Sequence, residues 1–505
     1  MTTTDFPHIV TLSAEAFPYA KVGGLGDVLG SLPKTLESLG AHVTLMLPAY
    51  KSIHHSRYDI HPYAPLPALD VKMGSRICRA EVHTGTMPGS NVRVFFIGSR
   101  DYFLRDGIYD DPHTHEAYLD NMERFVFFMR ACLALLPMLQ QQVDIIHCHD
   151  WQTGLIPGII QTTLRRDPFF SRIGTVFTIH NLAYQGIFPK EALFWADINY
   201  SYFSVTSPFE FWGQVNFLKA GIEFADCVTT VSENYAREIQ SGPTYGCGLE
   251  GVLQKNRDKL RGIVNGIDYD SWNPETDPHL PAHFSHRDLS GKNECKKQLL
   301  NHVGLPQHAD RIPLIGIISR LADQKGFDLI AGGVGEIFGL ELQMVILGIG
   351  QRKYHDLLKQ IALQYPQKLA LKLAFDNDLA HQIEAGCDML LMPSRYEPCG
   401  LNQLYSLRYG TVPIVRATGG LADTVVDYNE VKSTGTGFSF TNYSSGELIA
   451  AVKRALMVYS SPQKWEMIIE RGMRQDWSWE RSARKYLELY ERICRNKRDH
   501  KEASL

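Results

Sequence analysis

The stretch Ile9–Leu47, IVTLSAEAFPYAKVGGLGDVLGSLPKTLESLGAHVTLML, decides the fold. Ile9–Leu12 is a short apolar, β-branched run, the glycine-rich loop KVGGLGDV (21–28) follows it, and a helical pattern continues to about Ser38 with Gly40 placed to stop it. Val43–Leu47 is the next strand, so the segment reads strand, helix, strand, the repeating unit of a parallel sheet. The rhythm continues with Val92–Ile97, Val143–His147, Gly174–Ile179, Cys227–Val231 and Arg261–Val264. After residue 265 it restarts at Leu314–Ser319, Gln343–Leu347, Leu369–Phe375, Met389–Met392 and Val412–Val415, with helices such as Phe327–Phe338 and Gly400–Tyr409 between. Two doubly wound α/β domains are expected. The break falls at VNGIDYDSWNP (264–274), where Gly266 and Pro274 interrupt both periodicities and suggest a hinge. A last helical pattern follows Trp477-Ser478-Trp479, a pair expected to pack in the core, and its charged end, CRNKRDHKEASL, is expected to fray.

Composition agrees with a two-domain globular enzyme. At 505 residues the chain exceeds the size at which one hydrophobic core keeps growing. Its 51 Lys+Arg against 55 Asp+Glu leave a net charge of -4, too balanced for a nucleic-acid surface. The nine cysteines contain no CxxC pair, which fits a reducing compartment. The start, MTTTDFPHIV, lacks the features of a signal peptide, and the apolar run Phe125–Leu139 is interrupted by Arg130. A cytoplasmic location without a membrane span is expected.

In open α/β sheets, ligands sit beyond the carboxyl ends of the strands, so two facing sheets would create one deep interdomain cleft. The loops after the strands are therefore where chemistry is sought. KVGGLGDV reads as a phosphate cradle: Gly23 and Gly24 let backbone N–H groups approach an anion, the helix N-terminus adds partial positive charge, and Lys21 adds a full one. The spacing is not GxGxxG, the second strand ends without a carboxylate, and no GxxxxGK[ST] occurs, which argues against NAD and ATPase sites. SRLADQKGFD (319–328) puts Arg320 and Lys325 in one loop after a strand, suited to a diphosphate; the bland alternative is two solvated cations.

MPSRYEPCGLNQL (392–404) sets Glu397 between two prolines, ahead of the amides of Cys399, Gly400 and Leu401, which could hold sugar hydroxyls or a phosphate. Glu397 could instead merely cap the following helix. RATGGLADT (416–424), with Thr418 and Gly419, repeats the glycine element as a second anion-binding turn. HCHDWQTGL (147–155) and FTIHNLAYQG (177–186) end strands with polar, ring-bearing residues. Their histidines lack the spacing of a zinc site, and the triplets Asp268-Tyr269-Asp270 and Asp376-Asn377-Asp378 are too easily reached by chance to assign a metal.

Taken together, KVGGLGDV, HCHDWQTGL, FTIHNLAYQGIF, VNGIDYDSWNP, SRLADQKG, PSRYEPCGLNQL and ATGGLADTV occur in the order and spacing of one family. The chain resembles bacterial glycogen synthases and plant starch synthases, glycosyltransferase family 5, over nearly its whole length. The resemblance implies a GT-B fold: an acceptor-side domain of residues 1–264, completed by a C-terminal helix at 481–505, and a donor-side domain of 265–480. It implies retaining, metal-independent transfer of glucose from ADP-glucose to an α-1,4-glucan, with no other cofactor. By resemblance, Lys21, Arg320 and Lys325 contact phosphate, Gly23 and Gly24 form the phosphate loop, and Glu397, Cys399 and Gly400 hold the donor glucose. His180 would face the anomeric centre through its backbone carbonyl, and Asp27, Asp150, Asn181 and Asn265 would be further polar positions. Phe375 falls where the family has an aromatic for the base, usually tyrosine, and Val22 replaces a common threonine.

A glycosidase would need two carboxylates flanking the bond, and the motifs offer no such pair. A glucan-binding protein with a decayed site would have lost Lys21, Arg320, Lys325 or Glu397, and all four are present. A pyridoxal-dependent phosphorylase shares the two-domain plan but would carry a cofactor lysine and absorb visible light.

Overall fold

The central parallel strands of the two large sheets are buried on both faces, which is why they read as continuous apolar runs rather than alternating ones. The structure, a computed structural model, describes residues 6–307 and 312–502, with side chains described up to residue 499. Within these residues the chain forms two compact units: one takes in everything up to Val231, Ala236–Gly266 and the chain from Trp479 onward; the other is Ser232–Tyr235 with Ile267–Ser478. Among the described residues no helix is long and apolar enough to cross a membrane.

The first unit holds β1 (His8–Leu12), β2 (His42–Pro48), β3 (His61–Pro62), β4 (Ala68–Met73), β5 (Arg76–Thr86), β6 (Arg93–Gly98), β7 (Ile145–His149) and β8 (Gly174–Ile179). It continues with β9 (Ile187–Phe188), β10 (Glu210–Phe211), β11 (Gln214–Asn216), β12 (Cys227–Thr230) and β13 (Leu260–Gly262). Ten of these form one sheet in the order β13-β12-β8-β7-β1-β2-β6-β5-β3, with β4 paired to β5, while β9 to β11 form a small separate sheet. The pairs from β13 across to β6 are parallel, and β3, β4 and β6 each pair antiparallel with β5. The antiparallel extension is absent from the sequence reading. Its signal is a period of two: in β4, Leu69, Val71 and Met73 are buried while Asp70 and Lys72 are exposed.

The second unit holds β14 (Leu314–Ile318), β15 (Gln343–Leu347), β16 (Leu369–Lys372), β17 (Met389–Met392), β18 (Val412–Arg416) and β19 (Phe438–Phe440), all parallel in the order β16-β15-β14-β17-β18-β19. Successive residues feed opposite cores: Ile315, Ile317, Met344, Ile346, Leu391 and Ile414 pack into one cluster. Leu314, Val345, Leu347, Leu390 and Val415 pack into the other.

Four local expectations need correction. The helix expected over Phe327–Phe338 is two, Phe327–Gly332 and Val334–Gly339. A Cβ at Gly333 would lie 2.7 Å from the Ile449 side chain, so the glycine at the break admits the helix Ser445–Tyr459. The helix expected from Gly400 begins at Asn402, because Gly400 takes φ +70. The strand expected to reach Phe375 ends at Lys372. The tail expected to fray from Cys494 is helical as far as Glu502. Tyr486, Tyr490 and Ile493 bury one face of that helix, and Lys497 pairs with Asp226 at 2.9 Å. Trp477 and Trp479 are buried as expected, and the last three residues of the expected helix, 503–505, lie outside the described residues.

Each sheet has one place where its winding reverses. In the first unit the chain leaves β1 toward β2 and β6, then returns to the opposite side of β1 with β7; in the second the same reversal separates β14 from β17. Crevices at such points are where open α/β sheets bind ligands.

Candidate active site

At the first switch point the loop after β1 is held by a residue the sequence reading passed over. Buried Glu15 accepts the N–H groups of Val22 and Gly23 on Oε2, at 2.6 and 2.9 Å, and the Tyr109 hydroxyl on Oε1 at 2.7 Å. Two amides of the expected phosphate cradle therefore already hold a carboxylate. This corrects the cradle reading for those amides: Glu15 shapes the glycine turn, and Lys21 supplies the loop's full positive charge. Lys21 Nζ lies 2.6 Å from Asp27 Oδ1, and the helix Gly24–Ser38 starts from Gly23 without a side-chain cap. Burial raises the Asp27 carboxyl above its ordinary range, against the pull of Lys21.

The loop after β7 carries Asp150 in a conformation that favours glycine, φ 57 and ψ -176. Such a residue costs about 1–3 kcal/mol and persists only where its surroundings hold it. They do: Asp150 N–H donates to the Thr178 carbonyl at 3.0 Å, and Asp150 Oδ1 accepts the His180 N–H at 2.7 Å. Asp150 thus fixes the backbone at His180 and Asn181. His180 Nε2 lies 2.9 Å from His149 Nδ1, and His149 Nε2 meets Thr11; His147, its ring centroid 4.0 Å from that of His149 and tilted by 36°, reaches Thr178 and the Tyr490 hydroxyl. The three histidines are hydrogen-bonding residues, and burial pushes His147 and His180 down to about 3 and His149 well below its ordinary value.

Burial pushes the Asp150 carboxyl up to about 7, although backbone N–H groups of His180 and Asn181 favour its charged form; Glu15 adds to the rise. A raised carboxyl pKa means that the acceptor form prevails only above about 7. Turnover is therefore expected to fall as pH drops through neutrality, and Asp150→Asn should flatten that limb while lowering the plateau. A kcat–pH profile checks this; an unchanged acid limb in the variant would remove Asp150 as its source.

At the second switch point, Lys325 Nζ lies 2.6 Å from Glu397 Oε2, which also accepts from Ser394 Oγ at 2.9 Å. Glu397 is thus the partner of a lysine, and the capping alternative is discarded. Arg320 is exposed and, among the described residues, has no ion pair. The turn 393–400 rests on glycines. A Cβ at Gly326 would lie 2.1 Å from the Pro393 carbonyl oxygen, one at Gly419 1.9 Å from that of Glu397, and one at Gly420 2.0 Å from that of Cys399. Gly420 N–H donates to the Glu397 carbonyl at 3.0 Å. The loop after β18 therefore supports the Glu397 turn by packing, a role that reading it as a second anion turn missed. Arg416 was missed too: its buried guanidinium donates to the carbonyls of Ser394, Arg395 and Thr441.

The remaining positions are scattered. Thr418 is buried at the start of the helix Gly419–Thr424, Cys399 is buried, and Leu401 precedes the helix Asn402–Arg408. Asn265, in the first unit, is buried, and among the described residues its Oδ1 has no hydrogen-bond partner. Phe375, just past β16, is 84% exposed, leaving its ring free to stack. The triplet aspartates have local partners: Asp268 accepts from Asp270 N–H and Ser271, and Asp376 caps the helix Asn377–Gly386.

Comparison with known proteins agrees with this geometry. Residues 8–255 match the family described as starch synthase catalytic domain, and residues 306–472 match glycosyl transferases group 1. The chain is 46% identical over 490 residues to a glycogen synthase of Desulforudis audaxviator, covering 95% of each. The chain belongs to the glycogen and starch synthase family. A glycogen synthase of Syntrophotalea carbinolica is 43% identical over 483 residues, 96% of this chain and 98% of that one. The solved catalytic domain of starch synthase IV from Arabidopsis thaliana, bound to ADP and acarbose, superposes with TM-score 0.88 at 34% identity, covering 97% of this chain and 99% of that one. Sucrose-phosphate synthase from Thermosynechococcus elongatus, at 16% identity and TM-score 0.58, shares the fold alone. The enzyme is a glucosyltransferase of the glycogen and starch synthase kind, built on the GT-B fold.

Proposed function

We propose that the enzyme moves glucose from ADP-glucose to the non-reducing end of an α-1,4-glucan with retention, working in the cytoplasm. The observation that carries this reading is the Lys325–Glu397 pair at the second switch point, with Arg320 in the same loop. Arg320 and Lys325 hold the diphosphate, Glu397 and the turn at Cys399, Gly400 and Leu401 hold the donor glucose, and Phe375 stacks on the base. In the first unit, Lys21 and the helix N-terminus at Gly24 serve phosphate binding, Gly23 shapes that turn through its bond to Glu15, Asp27 orients Lys21, and Asp150 holds the His180 carbonyl for the cationic sugar. The second unit is thus the donor side and the first the acceptor side. Bound ADP and acarbose in the Arabidopsis relative support this choice of ligands.

In the reaction, the C1–O bond breaks with its electron pair passing to the β-phosphate. The acceptor 4-hydroxyl oxygen then bonds to C1 from the same face, and its proton goes to the departing phosphate. Arginine and lysine stabilise the growing charge on that phosphate, the office a metal fills elsewhere. Initial rates with maltooligosaccharide are expected to be higher with ADP-glucose than with UDP-glucose, because Phe375 offers an apolar face to a purine. They are expected to be unchanged by EDTA. Equal or better rates with UDP-glucose would refute the donor, and loss of activity restored by Mg²⁺ or Mn²⁺ would refute the charge assignment.

A further inference from the structure

The loop after β14 and the turn after β17 meet residue by residue. Lys325 Nζ lies 2.6 Å from Glu397 Oε2. One position back in each segment, the side-chain Nε2 of half-buried Gln324 donates to the Tyr396 carbonyl at 3.0 Å. The Gln324 carbonyl accepts the Arg395 N–H at 2.8 Å, so this one residue bonds the turn through both its side chain and its backbone. The Gln324 side-chain bond and the Lys325 ion pair each span 72 positions, two rungs of one ladder. Only the nitrogen end of an amide can face a carbonyl oxygen, so the partner decides how the Gln324 side chain is oriented.

The loop keeps its own shape by other means. Lys325 N–H donates to the Ala322 carbonyl at 2.9 Å, Leu321 N–H to the Ile349 carbonyl at 2.9 Å, and Gln351 N–H to the Leu321 carbonyl at 2.7 Å. Asp323 accepts from Lys353 Nζ and, at 2.5 Å, from the Tyr354 hydroxyl. The last three of these contacts tie the loop to the segment that follows β15, on one side of β14 in the sheet. The Gln324 bonds run to the other side, where β17 leads into the Glu397 turn. What they fix is the turn. A lysine ammonium is a point charge on a flexible four-carbon stem, so the carboxylate that pairs with it sets where it stands. Were the turn to drift, Glu397 would carry Lys325 Nζ with it.

We propose that Gln324 is a positioning residue for glucosyl transfer: it ties the turn after β17 to the loop after β14, so that Glu397 holds Lys325 Nζ where the departing phosphate gains charge. It acts through Lys325 and touches neither sugar nor phosphate, a role that rests on Lys325 serving the diphosphate.

The test is steady-state kinetics of the full chain with ADP-glucose and maltoheptaose. Gln324→Met keeps the length of the side chain and removes the donor. It should lower kcat by about 10-fold, a share of the roughly 10²-fold that a 1 Å misplacement costs, and leave the KM for ADP-glucose within about threefold. Gln324→Glu, which sets a carboxylate oxygen against the Tyr396 carbonyl, should lose more. Because Gln324 acts through Lys325, Gln324→Met should cost less than about twofold once Lys325→Ala is present, whereas a bond that merely stabilised the loop would cost the same in both backgrounds. Wild-type kcat in Gln324→Met, or an undiminished loss in the Lys325→Ala background, would overturn the positioning role and leave Lys325 its own. Wild-type turnover in Lys325→Ala would instead remove the diphosphate assignment, and the role of Gln324 with it.

Discussion

Replacing Arg320 or Lys325 by alanine is expected to lower kcat by about 10²–10³, the cost of removing one preorganised partner of a developing oxyanion, roughly 3–4 kcal/mol. The loss should fall on kcat more than on KM, because the phosphate gains charge only as the glycosidic bond breaks. The two variants should differ in stability. Arg320 is exposed and, among the described residues, has no ion pair, so its loss should leave the melting curve unchanged. Lys325 neutralises Glu397, whose side chain is 8% exposed, so Lys325→Ala leaves a nearly buried carboxylate without its cation. That variant should melt lower, and Lys325→Ala with Glu397→Gln should recover the stability without the rate. Lys325→Arg should rescue little, because a planar fork does not reproduce a point charge on a flexible stem. Steady-state kinetics with thermal melts check the set; near-wild-type turnover in either alanine variant would mean ordinary surface charges.

The second large effect is expected from one methyl group. Gly419 takes φ +46, which side chains other than glycine rarely adopt, and its Cβ would stand 1.9 Å from the Glu397 carbonyl oxygen. Backbone cannot yield as a flexible side chain does, so Gly419→Ala must push the 397–400 turn away. A displacement of about 1 Å in a positioning group costs about 10²-fold in rate. The variant should lose kcat on that scale although Gly419 bears no charge and no side chain. Gly446→Ala, where nothing lies within 4 Å of the added carbon, is the control and should behave as wild type. Wild-type turnover in Gly419→Ala would show that the turn does not position the reacting groups.

What was legible in the sequence follows from the kinds of signal involved. Strands buried on both faces announce themselves as apolar runs, and Gln343–Leu347 and Met389–Met392 were placed to the residue. The half-exposed β4 carries only an alternation, easily overlooked beside such runs. Residues whose charge is their function, such as Lys21, Arg320, Lys325 and Glu397, stand out because loops after strands are where ligands bind. Glu15, Tyr109 and Arg416 did not, because each acts through hydrogen bonds inside the protein that only folding creates: Glu15 and Arg416 hold backbone groups, and the Tyr109 hydroxyl donates to the Glu15 carboxylate across 94 positions. The packing role of Gly419 was hidden as well, since a glycine turn in sequence looks the same whether it admits an anion or another stretch of backbone.

The most direct test of the account is chain extension. Purified enzyme given ADP-glucose, maltoheptaose and EDTA is expected to produce a ladder of products, each one glucose longer than the last, cleaved by an α-1,4-specific amylase and nearly abolished by Arg320→Ala. Free glucose without longer chains, or a ladder that Arg320→Ala leaves intact, would contradict it.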